Sequence, residues 1–206
     1  MAEAPVPVFD IGNVFVEWDP MLLFRKLFDS EEEARWFHDT ICTPDWNLAF
    51  DAGDSFAEGV ARLTARYPRY WREIQAFDKR WEETVGPLIE GTIRIHDELV
   101  AAEVPTFAIT NFSREKLVSR LGVWPFLEHF DGIVVSGIEH LVKPDPRIFR
   151  LFCDRYGLAP EACVFIDDSE VNIASAQRFG MRTIHFTGAD GLRRDLIAMG
   201  LPLSAT

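Results

Sequence analysis

The sequence is poor in cysteine and in basic residues, and it contains no long apolar run. Cysteine occurs three times in 206 residues, at Cys42, Cys153 and Cys163, without the CxxC spacing of a metal site. So small and odd a number excludes a disulfide framework and favours a reducing, cytoplasmic compartment. No apolar run approaches the roughly 18 residues of a membrane-spanning helix. Met1 to Pro7 lack the basic and apolar regions of a signal peptide, so we expect no membrane partner.

Basic side chains are too few to balance the acidic ones. Lys and Arg number 21 against 33 Asp and Glu, which gives a net charge of −12. Because so negative a surface repels a phosphate backbone, we predict no nucleic-acid partner. The same charge repels small anions at long range, so any phosphate site must be locally basic or hold a cation. The composition leaves the oligomeric state open between monomer and dimer.

The sequence does contain a series of short, continuously apolar runs. Such runs are typical of strands buried on both faces of a parallel sheet, and helical stretches separate them. We therefore predict an α/β fold with a doubly wound parallel sheet, whose strand ends carry the polar residues of a ligand site. The predicted strands are 7–9, 106–109, 133–135, 163–166 and 183–186, and the predicted helices are 92–103, 146–156 and 171–179, with a short helix after position 188.

Residues 20–87 break this alternation. They contain no strand-like run but several helical patterns rich in aromatic residues, at 21–28, 30–40, 55–67 and 71–84. Ser30 and Glu33 have the spacing of a capping box, and Asp54 or Ser55 is placed to cap the next helix. We therefore predict a small helical insert, 19–87, in a core formed by 1–18 and 88–206.

Carboxylates follow two of the predicted strands. Asp10 follows the first strand, and Asp167 and Asp168 follow the strand at 163–166. A buried carboxylate is costly unless it is paired or bound to a metal, and two adjacent carboxylates repel each other without a cation. A Mg²⁺ ion, which takes one or two carboxylates with water and substrate phosphate, would relieve that repulsion. Capping of a turn or helix is the alternative for both sites.

Other polar residues follow two further strands. Thr110 and Asn111 end the second predicted strand and offer a hydroxyl and an amide to phosphate oxygens. Lys143 follows the strand at 133–135 in a loop that two prolines stiffen. A surface lysine is the default interpretation. A lysine fixed near acidic residues would instead neutralise a transferring group and a nucleophilic carboxylate.

The order of these residues along the chain is specific. It resembles that of the haloacid dehalogenase (HAD) superfamily of hydrolases over essentially the whole chain. The insert resembles the C1 cap of that superfamily, and the Gly12-Asn13 variant is most similar to the sugar-phosphatase-like branch that includes α-glucose-1-phosphate phosphatases. The segments that carry the resemblance are Phe9 to Val14, Glu17 to Pro20, Ile109 to Asn111, Lys143 to Phe149 and Phe165 to Asn172.

The resemblance implies a magnesium-dependent hydrolase that forms a covalent intermediate. Asp10 would attack phosphorus with loss of the alcohol, and water would then hydrolyse the aspartyl phosphate. Asp10, the carbonyl of Gly12 and Asp168 would bind Mg²⁺, with Asp167 as a direct or water-mediated ligand. The implied substrate is a small phosphate ester.

The resemblance also implies roles for the remaining polar residues. Thr110 and Asn111 would hold the transferring group, and Lys143 would tie Asp10 to that group. Ser169 and Asn172 would orient the acidic loop. Positioning and charge neutralisation supply most of the stabilisation in phosphoryl transfer.

One position departs from the phosphatases of the superfamily. They carry an Asp as general acid and base two residues after the nucleophile, where this chain has Gly12. General acid–base help is worth about 10²–10⁴ in rate, so its loss should slow a phosphatase without abolishing activity. Asp19, Glu17 or His38 could substitute. Apart from this, His38 and His96 are expected to be ordinary surface or insert residues.

Two rival functions stay open. A 2-haloacid dehalogenase would use Asp10 to attack carbon and needs neither an acid at position 12 nor a metal. The dehalogenase pattern has uncharged residues in place of Asp167 and Asp168, and an arginine in the early insert that the region of Ile41 and Cys42 lacks. The other alternative is a catalytically silent binding or regulatory protein of the same fold, although unused buried charges are costly to retain.

Overall fold

The computed structural model of the chain describes residues 4–205. Residues 1–3, which belong to the segment examined for a signal peptide, lie outside this range. The protein is built around a parallel sheet. Its strands are β1 (Val6–Phe9), β2 (Val16–Trp18), β3 (Val85–Leu88), β4 (Phe107–Thr110), β5 (Gly132–Val135), β6 (Cys163–Asp167) and β7 (Arg182–His185). Five strands form the sheet in the order β5-β4-β1-β6-β7, all parallel.

Helices connect the strands of the sheet and cover both of its faces. They are α1 (Met21–Phe24), α2 (Glu31–Thr40), α3 (Pro44–Asp51), α4 (Phe56–Arg66), α5 (Trp71–Lys79), α6 (Glu90–Ala101), α7 (Arg114–Val118), α8 (Ser136–Glu139), α9 (Pro146–Tyr156), α10 (Glu170–Phe179) and α11 (Ala189–Ala198), with 3₁₀ turns at Pro68–Tyr70, Trp81–Thr84, Pro125–His129 and Pro160–Ala162. In residues 4–205 every helix is too short or too polar to span a bilayer.

The central strands are buried, as their continuous apolarity predicts. Side chains of β1 alternate between two core clusters. Val8 belongs to the cluster with Phe149 and Phe152 of α9, whereas Phe9 belongs to the cluster with Ile95 of α6. Because each face of the sheet is covered by helices, the predicted doubly wound α/β architecture is confirmed.

The helices α1 to α5 lie between two strands that pair with each other. β2 and β3 are antiparallel, with Val16 opposite Leu88 and Trp18 opposite Val85. The prediction that 20–87 contains no strand is therefore wrong at its end. Gly86 and Pro87 occupy the middle of β3. Both residue types are depleted in strands, so the apolar pattern does not indicate a strand at this position. The domain boundaries predicted at 18/19 and 87/88 stay a prediction.

The predicted capping residues act as caps. Ser30 Oγ accepts from the Glu33 backbone N–H at 3.1 Å, and Ser55 Oγ accepts from the Glu58 N–H at 3.5 Å. The helix predicted at 71–84 is wrong in length, since α5 ends at Lys79 and a separate 3₁₀ turn follows.

One helix was not predicted. The helix α3 begins with Thr43 as its N-cap, whose Oγ1 accepts from the Trp46 N–H at 3.2 Å, and with Pro44 in its first turn. Proline is favoured there because its missing N–H would be unpaired in any case. This helix supplies residues to the site described next.

Candidate active site

Strand pairing brings the acidic residues together. Phe9 lies opposite Ile166 in the register of β1 and β6, and the Asp10 N–H donates to the Ile166 carbonyl at 2.8 Å. Asp10, Asp167 and Asp168 therefore lie at the same carboxyl edge of the sheet. Their carboxylate oxygens lie within 4.8 Å of one another. This is the edge at which open α/β sheets bind ligands.

Lys143 lies between two of these carboxylates. Its Nζ is 2.8 Å from Asp10 Oδ1 and 2.7 Å from Asp167 Oδ2, and it also donates to the Ile109 carbonyl at 2.9 Å. The residue is only 2% exposed. Burial alone would lower the pKa of Lys143, but its two carboxylate partners raise that pKa above its usual value, so the side chain stays a cation.

The two adjacent aspartates differ in what they contact. Asp167 is fully buried and accepts from the Ser169 N–H at 2.8 Å and from Asn172 Nδ2 at 3.1 Å, in addition to Lys143. Asp168 is half-buried and lines a cavity. Burial, together with the charge of Asp167, raises the pKa of Asp168. Asp168 is therefore the member of the pair that is more available to a ligand.

Asp10 has little contact with solvent. It is 8% exposed, and its Oδ1 also accepts from the Ile11 N–H at 2.8 Å. Burial raises the pKa of Asp10 to about 7, and Asp167 adds to the rise while Lys143 opposes it. A divalent cation at the carboxylates would favour the ionised form that a nucleophile requires.

The chain turns sharply after Asp10. Asn13 adopts the left-handed conformation with φ of 55°, which Asn tolerates better than most residues, and its Oδ1 accepts from the Trp18 N–H at 2.9 Å. Gly12 does not adopt that conformation, and a Cβ placed on it would meet no described atom within 4 Å. The backbone therefore does not require glycine at position 12.

The residues that end β4 are also close to Lys143. Asn111 Oδ1 accepts from the Lys143 N–H at 2.8 Å, and Asn111 Nδ2 donates to the Lys143 carbonyl at 3.0 Å. This pair of bonds fixes the lysine loop and uses one of the two amide hydrogens of Asn111, a residue that also lines the cavity. The buried hydroxyl of Thr110 has no hydrogen-bond partner among residues 4–205. Thr110 itself is 1% exposed and, among the described residues, is not part of the cavity lining.

A cavity of about 180 Å³ opens beside these residues. Its floor is acidic and its walls are largely aromatic, with contributions from the sheet edge, the β2–β3 pair and the inserted helices. The lining residues are Asp10, Gly12, Asn13, Val16, Glu17, Trp18, Asn47, Asp51, Phe56, Trp81, Val85, Asn111, Phe112, Ser113, Trp124 and Asp168.

The sequence reasoning missed Asp51. This residue ends α3, and its Oδ2 accepts from Asn47 Nδ2 at 3.2 Å. Burial raises the pKa of Asp51 to about 7, the charge of Asp10 adds to the rise, and the nearby Ser113 backbone and the charge of Lys143 oppose it. Thr43 followed by proline is a helix-start signal, so the start of α3 could be predicted from the sequence. That α3 places Asp51 in the same cavity as Asp10 could not be predicted.

The proposed substitutes for a carboxylate at position 12 lie in different places. Glu17 is exposed and lines the cavity. Asp19 Oδ1 caps the Met21 N–H at 2.8 Å, and His38 Nδ1 lies 2.7 Å from Asp39 Oδ1. Within residues 4–205, neither Asp19 nor His38 lines the cavity.

The expectation that His96 is a surface or insert residue is wrong. It lies on α6 in the core and has no exposed surface. Its Nε2 is 2.9 Å from Thr106 Oγ1, and its ring stacks on Phe130 with centroids 4.2 Å apart. Its burial is possible because it has a polar partner and aromatic neighbours. The helical pattern around His96 does not indicate either of these tertiary contacts.

The comparisons with known proteins bear on the family and the fold. The family model for the haloacid dehalogenase-like hydrolases matches residues 20–180. A phosphoserine phosphatase of Thermus thermophilus is 30% identical over 129 residues, 62% of this chain and 44% of that protein. An (S)-2-haloacid dehalogenase of Pseudomonas sp. (strain CBS-3) is 29% identical over 139 residues, 68% of this chain and 58% of that protein. The chain thus spans less than two thirds of the length of either relative.

A solved structure has the same fold. A HAD family enzyme of Bacteroides thetaiotaomicron, in complex with magnesium and inorganic phosphate, matches with a TM-score of 0.71 and 19% identity, over 90% of this chain and 96% of that chain. Identity this low shows the fold alone. Since the family model covers most of the chain, the chain belongs to the haloacid dehalogenase-like hydrolases.

Proposed function

We propose that this hydrolase is a magnesium-dependent phosphatase that hydrolyses a small phosphate monoester through an aspartyl phosphate on Asp10. The observation that supports it best is the position of Lys143, which is buried between Asp10 and Asp167 while Asp168 stays available at the cavity. One lysine cannot balance three carboxylates. The remaining negative charge favours a bound cation.

The donor set fits Mg²⁺. Asp10 and Asp168 offer carboxylate oxygens, the ligands that this hard cation prefers, and the carbonyl of Gly12 would add a third. Asp167, already bonded to Lys143, would act directly or through water. When bound, Mg²⁺ would neutralise phosphoryl oxygens and position them for in-line attack.

The protein's own residues would carry the chemistry. Asp10 would attack phosphorus, and Lys143 would hold the attacking carboxylate in place and neutralise charge on the transferring group. Asn111, which lines the cavity, and Thr110, which lies behind it with a hydroxyl unpaired among the described residues, would donate to phosphoryl oxygens. Ser169 and Asn172 would keep Asp167 oriented toward the lysine.

The cavity also bears on the substrate. Its concave, partly aromatic lining suits a small molecule, and Glu17 and Asp168 add acidic side chains to that lining. An alcohol part that carries a carboxylate or a second phosphate would be repelled. Aromatic walls with scattered polar groups fit a neutral, hydroxyl-bearing alcohol, and a sugar phosphate is a substrate of this kind.

A 2-haloacid dehalogenase is the second candidate. Gly12 favours it, because attack on carbon needs no acid at that position, and a dehalogenase is among the relatives. Asp168, half-buried beside Asp10, counts against it, since a second carboxylate facing the cavity repels a carboxylate substrate. A catalytically silent protein is the remaining alternative.

Phosphate release from a panel of phosphorylated metabolites and p-nitrophenyl phosphate, with Mg²⁺ present, tests the proposal. We expect turnover that EDTA and Asp10→Asn abolish. Chloride release from a 2-haloacid that persists in EDTA would select the dehalogenase instead. If neither activity appears although the protein binds Mg²⁺, the silent alternative gains support.

The cellular setting is also a proposal. All three cysteines are buried and unpaired, which suits a cytoplasmic location. The acidic surface argues against nucleic-acid and membrane partners, so a small-molecule phosphate ester is the partner we propose.

A further inference from the structure

The proposed chemistry lacks an assigned proton donor for the leaving alcohol. Position 12 is glycine, and of the three acids considered from the sequence only Glu17 reaches the cavity. Glu17 is exposed to solvent.

Asp51 is better placed. It lines the same cavity as Asp10 but comes from the inserted helix α3, whereas Asp10 directly follows a strand of the sheet. Its carboxylate is held by a donor on the same helix, Asn47 Nδ2, at 3.2 Å from Oδ2. A side chain fixed in this way can present its remaining oxygen to a group bound above Asp10.

We propose that Asp51 is the general acid and base of this enzyme, replacing the carboxylate that related phosphatases carry two residues after the nucleophile. This inference rests on the proposed phosphatase function. It assigns the inserted helix a catalytic role besides substrate recognition.

The two steps balance with Asp51 as the proton carrier. In the first step the Asp10 carboxylate oxygen attacks phosphorus and the phosphorus–ester oxygen bond breaks. The bonding pair goes to the leaving oxygen, which takes the proton of Asp51 and departs as the alcohol. In the second step the Asp51 carboxylate removes a proton from water, whose oxygen attacks phosphorus. The bond to Asp10 then breaks, which releases inorganic phosphate and leaves Asp51 protonated.

The surroundings of Asp51 favour the protonated form that the first step requires. It is the last residue of α3, where the partial negative charge of a helix C-terminus disfavours a carboxylate. Burial and the charge of Asp10 act in the same direction, and Glu17 and Asp168 line the same cavity. Lys143 opposes them, but its charge is already shared between two carboxylates.

Leaving-group dependence tests the inference. p-Nitrophenolate departs without a proton, whereas the alkoxide of benzyl phosphate needs one, and the two alcohols are similar in size. The value of kcat/KM reports formation of the aspartyl phosphate. We expect Asp51→Asn, which keeps the size and hydrogen-bonding partners of the side chain, to lower kcat/KM for benzyl phosphate by about 10²–10⁴. The value for p-nitrophenyl phosphate should change by less than about tenfold.

Two controls separate a catalytic role from loss of charge or of structure. Glu17→Gln removes a carboxylate from the same cavity and should not discriminate between the substrates, whereas Asp51→Glu should restore part of the benzyl phosphate activity. Equal losses with both substrates in Asp51→Asn, or no loss with either, would overturn the inference, and a selective loss in Glu17→Gln would reassign the role. Failure of the wild-type protein to release phosphate from either substrate would remove the proposed function itself.

Discussion

The Nζ atom of Lys143 lies 2.8 Å from Oδ1 of Asp10, and the lysine side chain has no exposed surface. Its other carboxylate partner, Asp167, is equally buried. The lysine therefore holds the proposed nucleophile in a fixed position and compensates charges that would otherwise be isolated from water. The contact between Lys143 and Asp10 therefore stabilises the fold and, in our proposal, positions the nucleophile for catalysis.

Removal of this lysine should destabilise the fold. Lys143→Met keeps much of the side-chain volume but leaves the carboxylates of Asp10 and Asp167 without their cation. Breaking a buried ion pair in this way costs about 3–5 kcal/mol. Urea unfolding should show this loss, whereas Lys79→Met, at an exposed lysine on α5, should change the free energy of unfolding by less than about 0.5 kcal/mol. Similar stabilities for the two variants would contradict the account.

Magnesium should stabilise the folded protein through Asp168. A ligand that binds only the folded state adds about 2.7 kcal/mol at a hundred times its Kd. Urea unfolding of the wild-type protein should therefore shift to higher denaturant as Mg²⁺ is added. Asp168→Asn should need more than about tenfold more Mg²⁺ for the same shift. Asp154→Asn, on the exposed surface of α9, should respond as the wild type does. An unchanged response in Asp168→Asn would remove this residue from the metal site.

A carboxylate installed at position 12 should be tolerated and should supply a second route for the proton. The space around Gly12 is open and its backbone is ordinary, so Gly12→Asp should fold. In the Asp51→Asn background it should raise kcat/KM for benzyl phosphate by at least about tenfold. Gly12→Ala in the same background tests for an effect of the backbone and should give no gain. Equal values for Asp and Ala would show that position 12 does not reach the leaving group.

Stability should fall in acid because of His96. Burial lowers the pKa of His96 to about 4, whereas an unfolded histidine titrates near about 6.5. The unfolded chain therefore binds more protons between these values, and up to about 3 kcal/mol of stability is lost as the pH falls from 6.5 to 4. Asp10 and Asp51, whose pKa values are raised, act in the opposite direction over this range. The difference in unfolding free energy between wild type and His96→Phe isolates the histidine, and a difference that does not vary with pH would contradict this prediction.

The central sheet could be predicted from the sequence because strands that are buried on both faces are continuously apolar. The strands β1, β4 and β6 are short, continuous apolar runs, and parallel strands place their carboxyl ends at one edge. The proximity of Asp10 to Asp167 follows from those two facts. The strand β3 has a glycine and a proline in its middle and therefore lacks a continuous apolar run. It is defined by its pairing with β2.

The part of the site that comes from the insert could not be predicted in the same way. Thr43 and Pro44 signal the start of α3, but the sequence does not indicate how that helix packs over the sheet. The approach of Asp51 to Asp10 depends on this packing. His96 shows the same limit, since its burial depends on Thr106 and Phe130, which follow it in the chain. Local pattern predicts elements, and tertiary contacts decide which polar residues are buried.

The covalent step on Asp10 is tested most directly by trapping the intermediate. The protein is mixed with p-nitrophenyl phosphate and Mg²⁺, quenched in acid within one turnover, and digested for mass spectrometry. We predict one phosphoryl group on the peptide that contains Asp10, and none in Asp10→Asn. Turnover of phosphate esters with no phosphoryl group on that peptide, or phosphate release retained in Asp10→Asn, would contradict the account.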